Sequence, residues 1–326
     1  MSFTESENQI WQIALKNTEA TAQKVAKVYL SASREIAKEL ETFFKIADPS
    51  WSKQYQAERL KRIFEELTVK LELITGMERQ VIQQAFLKQY YDTYFAYSYA
   101  YSEYATGASL LMPGQFLLLP FSIPIESAVL AALNEKVGEY SFLRSTRAMQ
   151  DYLRSDLQSA VAIAIQKGES VAMLTKRLNK IFDSGLMRYA TTARTEMLKA
   201  FSISQEESAQ EAADLGIEMT YIWKASGDGR TRTGHRLADG QVAKMHGDKP
   251  VFEVQVWRRK TGQAPVLMGT CKGSGPRLMT GTYQAECNIN CRCRRVTMPF
   301  KYDPNVKPEI VNGVPDIKEY VKMISQ

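Results

Sequence analysis

Asp214-Leu215-Gly216-Ile217-Glu218-Met219-Thr220-Tyr221-Ile222-Trp223 is where the chain changes texture. Up to Leu215 the apolar residues return every three or four positions, the period of a helix with one buried face. From Ile217 the residues alternate, as in a strand with one face turned inward. Gly216 closes the last helix and marks the boundary. The chain therefore reads as an α+β protein. An elongated, mostly helical N-terminal part is followed by a small, basic, β-containing C-terminal domain. The expected segments are 1–150, 151–216, 217–300 and 301–326.

Working back from that boundary, Ile10, Ile13, Ala14, Val25, Val28, Tyr29 and Ile36 define one long amphipathic helix over Glu7–Lys45, ended by Asp48-Pro49. Ala57–Leu73 and Glu78–Tyr104 continue the period, with Gly76 expected to interrupt it. Ser127–Gly138 and Ser141–Gln166 are helical again. Gly168 is expected to end that helix, Ser170 to cap the next, and Gly185 to break it before a last helix over Tyr189–Leu215. Eight aromatics crowd Tyr90–Tyr104 with no Arg or Lys among them. Base-stacking platforms carry interleaved cations. The run reads instead as a core or a subunit interface.

Beyond the boundary, Val251–Trp257 and Arg294–Met298 are further strand candidates, and Ile317–Ile324 a short closing helix after a proline-rich strap. Residues 217–326 hold 18 Lys and Arg against 10 Asp and Glu; the preceding residues hold 24 against 26. That local excess suits phosphates or a solvated surface. The chain has 326 residues, 44% of them hydrophobic, enough for two modest domains. No apolar run is long enough for a transmembrane helix, and Met1-Ser-Phe-Thr-Glu-Ser-Glu does not read as a signal peptide.

The soft metal ligands are concentrated late in the chain. Cys271, Cys287, Cys291 and Cys293 are the only cysteines, and His235 and His246 the only histidines. His235, Cys287, Cys291 and Cys293 can supply a Cys₃His set for zinc, with Cys271 able to replace Cys287. Reduced structural thiols and a disulfide are the other readings. Asp228, Arg230, Arg232 and His235 would also suit phosphodiester chemistry, with His235 as acid or base and the arginines steadying charge. That defines the enzyme alternative, a nuclease or transferase. A third reading is a non-specific DNA-binding module, with Arg258, Arg259, Lys260, Arg292, Arg294 and Arg295 on phosphates.

Taken in order, several pieces resemble the phage Mu F-like head morphogenesis proteins, also called minor head or minor capsid proteins. They are Gly168-Glu169-Ser170 before an apolar helix, Ala193-Arg194-Thr195-Glu196, Trp223, Asp228-Gly-Arg-Thr-Arg232 with His235, Asp239-Gly240, and Asn290-Cys-Arg-Cys293. The resemblance covers residues 150–298; the helical half before it matches only in being helical. It implies a virion component, made in the host cytoplasm and packaged inside the head; with no second base placed near His235 in sequence, the motif residues read as structural and the chain as not an enzyme. Its implied partners are the portal protein, inner capsid or scaffold proteins and packaged double-stranded DNA, with no membrane. The N-terminal helical segment 1–150 would serve the portal or capsid contact. Arg194, Glu196, Trp223, Asp228, Arg232, Asp239 and Gly240 are then structural motif residues, with Arg194 and Glu196 expected to reach the Asp228–Arg232 loop. The insert Arg258–Tyr283 departs from the family pattern and is expected to be a surface excursion.

Overall fold

A computed structural model describes residues 2–46, 53–134, 142–167, 171–258 and 264–325. Asp48-Pro49, the Gly168-Glu169-Ser170 turn, Arg259 and Lys260 lie outside these residues. Helices α1 (Phe3–Ile46) and α2 (Lys53–Ala108) lead to strand β1 (Gln115–Leu118), then α3 (Glu126–Asn134), α4 (Phe142–Lys167) and α5 (Val171–Asp214). Next come β2 (Ile217–Lys224), α6 (Thr233–Leu237), β3 (Lys244–His246), β4 (Lys249–Arg258), β5 (Val266–Gly273) and β6 (Met279–Thr280). The chain continues through α7 (Gln284–Asn288), β7 (Arg294–Tyr302) and β8 (Glu309–Asn312) to α8 (Ile317–Ile324). The α+β class is as read, with every sheet antiparallel.

Two compact units form, each from separated segments. One comprises residues 19–84 and 142–194. Its core gathers Tyr29, Leu153, Leu157, Val161, Leu174, Leu178, Phe182 and Tyr189. Two expected breaks are absent. Gly76 lies inside α2 and Gly185 inside α5. An isolated helical glycine costs only about 1 kcal/mol relative to alanine, too little to end a helix held by packing. Gly185 has a positive use: a Cβ there would fall 2.1 Å from the Tyr29 hydroxyl. It admits the ring that packs on Phe182 and Tyr189, with centroids 6.3 and 5.2 Å away.

Glu78 is fully buried in this unit, and burial pushes its carboxyl up to about 9. Both of its oxygens lack hydrogen-bond partners. A carboxyl with a raised folded pKa favours the native state most below its unfolded value of 4.5. That contribution is lost as pH rises through 9. Glu78→Gln is therefore expected to leave stability at about pH 5 little changed and to raise it by roughly 2 kcal/mol or more near pH 9. Thermal melts of both proteins across that range test this; parallel profiles would refute it.

The other unit comprises residues 1–18, 85–141 and 195–326. Its core is the tyrosine stripe of α2. Tyr90, Tyr94, Tyr97 and Tyr101 recur at helical spacing and are all but completely buried. Their hydroxyls end on polar partners: Tyr90 on Glu207, Tyr94 on the Ser122 carbonyl (2.6 Å) and Glu211, Tyr101 on Thr297 (3.1 Å). The Tyr97 hydroxyl receives the Gln205 amide at 2.7 Å. The run is thus a core face, with Trp11 and Phe201 edge-on to one another beside it.

Strand β2 pairs with β7 from Ile217↔Tyr302 to Trp223↔Arg295 and on to Lys224. Gly216 (φ 94°) fits because Asp303 presses its carbonyl to within 1.5 Å of where a Cβ would sit. A second sheet runs β3-β4-β5-β6. The Arg258–Tyr283 insert therefore is not a surface excursion. It supplies β5, paired along most of β4, and carries the buried Cys271 into the sheet. The C-terminal segment pairs β8 with β1 and lays α8 beside them, with Phe116, Leu118 and Tyr320 buried together. Asp316 caps α8, accepting from the Lys318 and Glu319 amides at 2.8 and 2.9 Å.

Candidate metal centre

Strand β2 delivers Trp223, completely buried, to the floor of the site. The chain then turns through Ser226–Thr231. Asp228 holds this loop, accepting from the Arg230 amide (3.0 Å) and the Thr231 hydroxyl (2.9 Å), and Thr231 shares a hydrogen bond with Ser226. Those bonds and the nearby Arg292 and Arg230 outweigh its slight burial and keep the Asp228 carboxyl below its ordinary value. Helix α6 follows and seats His235 edge-on to Trp223, ring centroids 5.4 Å apart. Gly234 makes this seat possible: a Cβ there would lie 1.6 Å from the Gln255 carbonyl oxygen of β4.

The Asp239-Gly240 turn brings the chain back beside β2. The Gly240 amide donates to the Trp223 carbonyl and the Trp223 amide to the Gln241 carbonyl, both at 2.8 Å. Ile222 then bridges Val242. Asp239 accepts the Ala225 amide at 2.9 Å, so this pair clamps β2 at the site.

From the other side, α7 and the turn after it present the cysteines. Asn288 is buried and fixes α7 to β6, exchanging two hydrogen bonds with the Met279 backbone. Asn290 then takes a left-handed φ of 52°, a conformation asparagine tolerates better than most residues. Its amide donates to Thr195 Oγ1 at 3.0 Å, which ties this turn to α5 through a residue other than the expected Arg194 and Glu196.

The turn places Cys291 and Cys293 on one side of an extended segment. Each Sγ lies 3.4 Å from His235 Nδ1. All three side chains are buried, and their ligand atoms fall within 4.8 Å of one another. A tetrahedral zinc with ordinary Zn–S and Zn–N bonds separates sulfur from nitrogen by roughly 3.5 Å, so the set fits that ion. Cys293 Sγ also receives the Ser226 backbone N–H. Burial alone would raise Cys291. Hydrogen bonds from Cys293 and His235, with the charges of His235 and Arg277, overcome it and hold this thiol well below the ordinary range. The hydrogen bond to Cys291, together with burial, drives Cys293 the other way.

Cys287 does not join this group. It is buried in hydrogen-bond contact with Cys271, and burial raises both thiols. The expected Cys₃His set is thus corrected to His235, Cys291 and Cys293, with a separate thiol pair behind it. The reason is the sheet: β5 brings Cys271 to Cys287. His235 faces the two sulfurs through Nδ1, and its buried Nε2 has no hydrogen-bond partner. The buried ring thus offers Nδ1 on the side where a metal held by the two sulfurs would need it.

Arg277 is the residue that sequence reasoning missed. It is 1% exposed and adopts φ 69°. Its Nη1 donates to the Cys291 and Cys293 carbonyls at 2.9 and 2.7 Å, and its Nε and Nη2 to Ser202 Oγ. Burial pulls its pKa down from the ordinary guanidinium value, opposed by the two cysteines. No pattern in the insert marks it out.

The remaining expected residues are dispersed. Arg194 holds Glu19 of α1 (3.0–3.1 Å), not the Asp228–Arg232 loop, because both lie in the other unit. Glu196 is half-buried, with one carboxyl oxygen unpartnered; burial raises it to about 7, with Lys199 opposing. Arg294 and Arg295 point inward. Arg294 pairs with the buried Glu7 at 3.3 Å and lies over Trp11; Arg295 donates to the Ser274 carbonyl and stacks over Tyr221. Neither is available as a DNA contact. Arg258 is exposed and pairs with Glu286 at 2.8 Å.

Arg230, Arg232 and Arg292 line a cavity of about 100 Å³ with Ser226, Asp228, Thr231, Asn290 and the three metal-type ligands. Arg232 also donates to the Ile289 carbonyl at 2.6 Å, and Arg292 stands 3.7 Å from Asp228. The Asp228–His235 and Asn290–Cys293 motifs thus meet at one place.

Residues 155–296, which carry these motifs, match the family described as Phage Mu protein F like protein. The match falls within the part of the chain whose motifs resemble that family. The chain is 25% identical over 290 residues to Minor head protein GP7 of Bacillus phage SPP1, covering 87% of this chain and 84% of that one. It is also 21% identical over 305 residues to NAD(+)--arginine ADP-ribosyltransferase EFV of Enterococcus faecalis (strain ATCC 700802 / V583). That match takes in 92% of this chain but only 56% of the longer protein. No solved structure matches. Among the described residues no helix is long and apolar enough to cross a membrane.

Proposed function

We propose that this protein is a structural minor head protein that acts in head morphogenesis at the portal and inner capsid and contacts the packaged DNA. The observation that carries the reading is the likeness to Minor head protein GP7 across most of both chains. The basic balance after Gly216 supports the DNA contact, since Arg230, Arg232, Arg236, Lys244, Lys249, Arg258 and Lys272 are exposed there. Such contacts release counterions, so binding to duplex DNA is expected to be weak, indifferent to sequence and steeply salt-dependent. Quantitative mass spectrometry of purified heads, with and without portal, tests the placement. A few copies per head, lost with the portal, are expected. Absence from the heads, or copies matching the major capsid protein, would overturn it.

The same reading gives the centre a zinc ion held by His235 Nδ1, Cys291 Sγ and Cys293 Sγ, which would staple the Asp228–His235 loop to the Asn290–Cys293 turn. About one equivalent of zinc is expected in protein prepared without chelator. Less than about half would sink the metal assignment and leave a packed thiol–imidazole corner.

A further inference from the structure

Three protein ligands leave one position of a tetrahedral ion without a protein donor. The cavity lies on that side, since His235, Cys291 and Cys293 are themselves part of its lining. Its remaining walls have a consistent chemistry. Three guanidiniums, two hydroxyls and one amide face a single carboxylate. That carboxylate, Asp228, is already engaged by the Thr231 hydroxyl and the Arg230 amide. Arg230 is exposed, and its charged group comes no closer than 4.0 Å to Asp228, so it can swing onto a ligand without breaking a tight pair. Arginine forks match phosphate oxygens in geometry as well as charge.

We infer that this cavity is a phosphate site, in which Arg230, Arg232 and Arg292 hold an oxyanion whose remaining oxygen completes the coordination of the His235–Cys291–Cys293 centre. The inference rests on the metal reading for that last contact alone; the three guanidiniums make the others. The phosphate can come from the backbone or end of DNA or from a free nucleotide. The recognised chemistry is the same.

Titration calorimetry of the intact protein with inorganic phosphate tests the site, using wild type, the Arg230→Gln/Arg292→Gln double variant, and wild type stripped with a chelator. Saturable binding is expected in wild type, weakened at least about tenfold in the double variant, for the loss of two charged contacts. No saturable phosphate binding in zinc-containing protein would overturn the inference and leave the metal reading standing. Equal affinity in wild type and double variant would overturn it too. Phosphate binding that depends on the arginines in protein that never contains zinc would uphold the cavity and remove the metal. Circular dichroism confirms that the double variant is folded, and Arg230→Gln alone, an exposed position, gives a second reading expected to weaken binding severalfold. Competition then separates the sources. Displacement by duplex DNA with 5′-hydroxyl ends marks the backbone; displacement only by 5′-phosphorylated ends or by a nucleoside monophosphate marks a monoester.

Discussion

Arg277→Met should lower stability by about 3 kcal/mol and loosen the metal centre, although Arg277 is neither a ligand nor a surface residue. Methionine fills similar space but cannot donate. The Cys291 and Cys293 carbonyls would lose their shared donor, and Ser202 Oγ would lose two more bonds. Relief of the buried guanidinium's desolvation offsets part of this. It does not offset all, because the orphaned carbonyls remain buried. Among the described residues no carboxylate pairs with Arg277, and Cys291 and Cys293 are the groups that favour its charge. Arg277→Lys should not rescue, since one ammonium cannot span both carbonyls and the serine. Thermal melts with zinc analysis would check this; an unchanged midpoint and full zinc content in Arg277→Met would show that the guanidinium is incidental.

Gly234→Ala should be comparably severe. A single methyl would have to occupy space 1.6 Å from a β4 carbonyl oxygen, which belongs to the backbone and cannot rotate away. Helix α6 must lift, and His235 lifts with it. A loss of at least about 3 kcal/mol is expected, with zinc affinity falling in parallel. Gly229→Ala in the preceding loop is the matched control. Nothing lies within 4 Å of a Cβ there, so it should stay near neutral. Equal behaviour of the two variants would mean that α6 does not depend on close approach.

These two residues show where sequence reading stops. Strands β2, β4 and β7 were legible because each alternates over a half-buried surface, and α8 because its boundaries coincide with a capping Asp316 and a proline before it. His235, Cys291 and Cys293 were legible by chemical type. Their partners were not. Cys287 and Cys271 are equivalent donors in a list, and only the pairing of β5 with β4 decides that they face each other. Arg294 and Arg295 look like surface charge until β7 is placed against Glu7 and Tyr221. Gly76 and Gly185 look alike in sequence; one meets nothing and the other admits a tyrosine ring. Local period is written in neighbouring residues, whereas these assignments depend on residues far away in the chain.

That distance also governs the order of events when the chain is made. Glu7 pairs with Arg294, and Trp11 underlies Arg277 and Arg294, so the beginning of α1 belongs to a unit whose other half is translated last. The unit of residues 19–84 and 142–194 can close while synthesis continues. The first eighteen residues can lay Phe3 on Tyr101 and Trp11 on Phe201 earlier, but Glu7 must wait for Arg294 until β7 emerges from the ribosome. Contacts of such high sequence separation slow folding and leave an interval open to chaperones and to misassembly. A polypeptide cut short before Cys291 would lack both the metal-type corner and the anchor for its own N-terminus, and would present to quality control the same greasy helix that a completed chain hides.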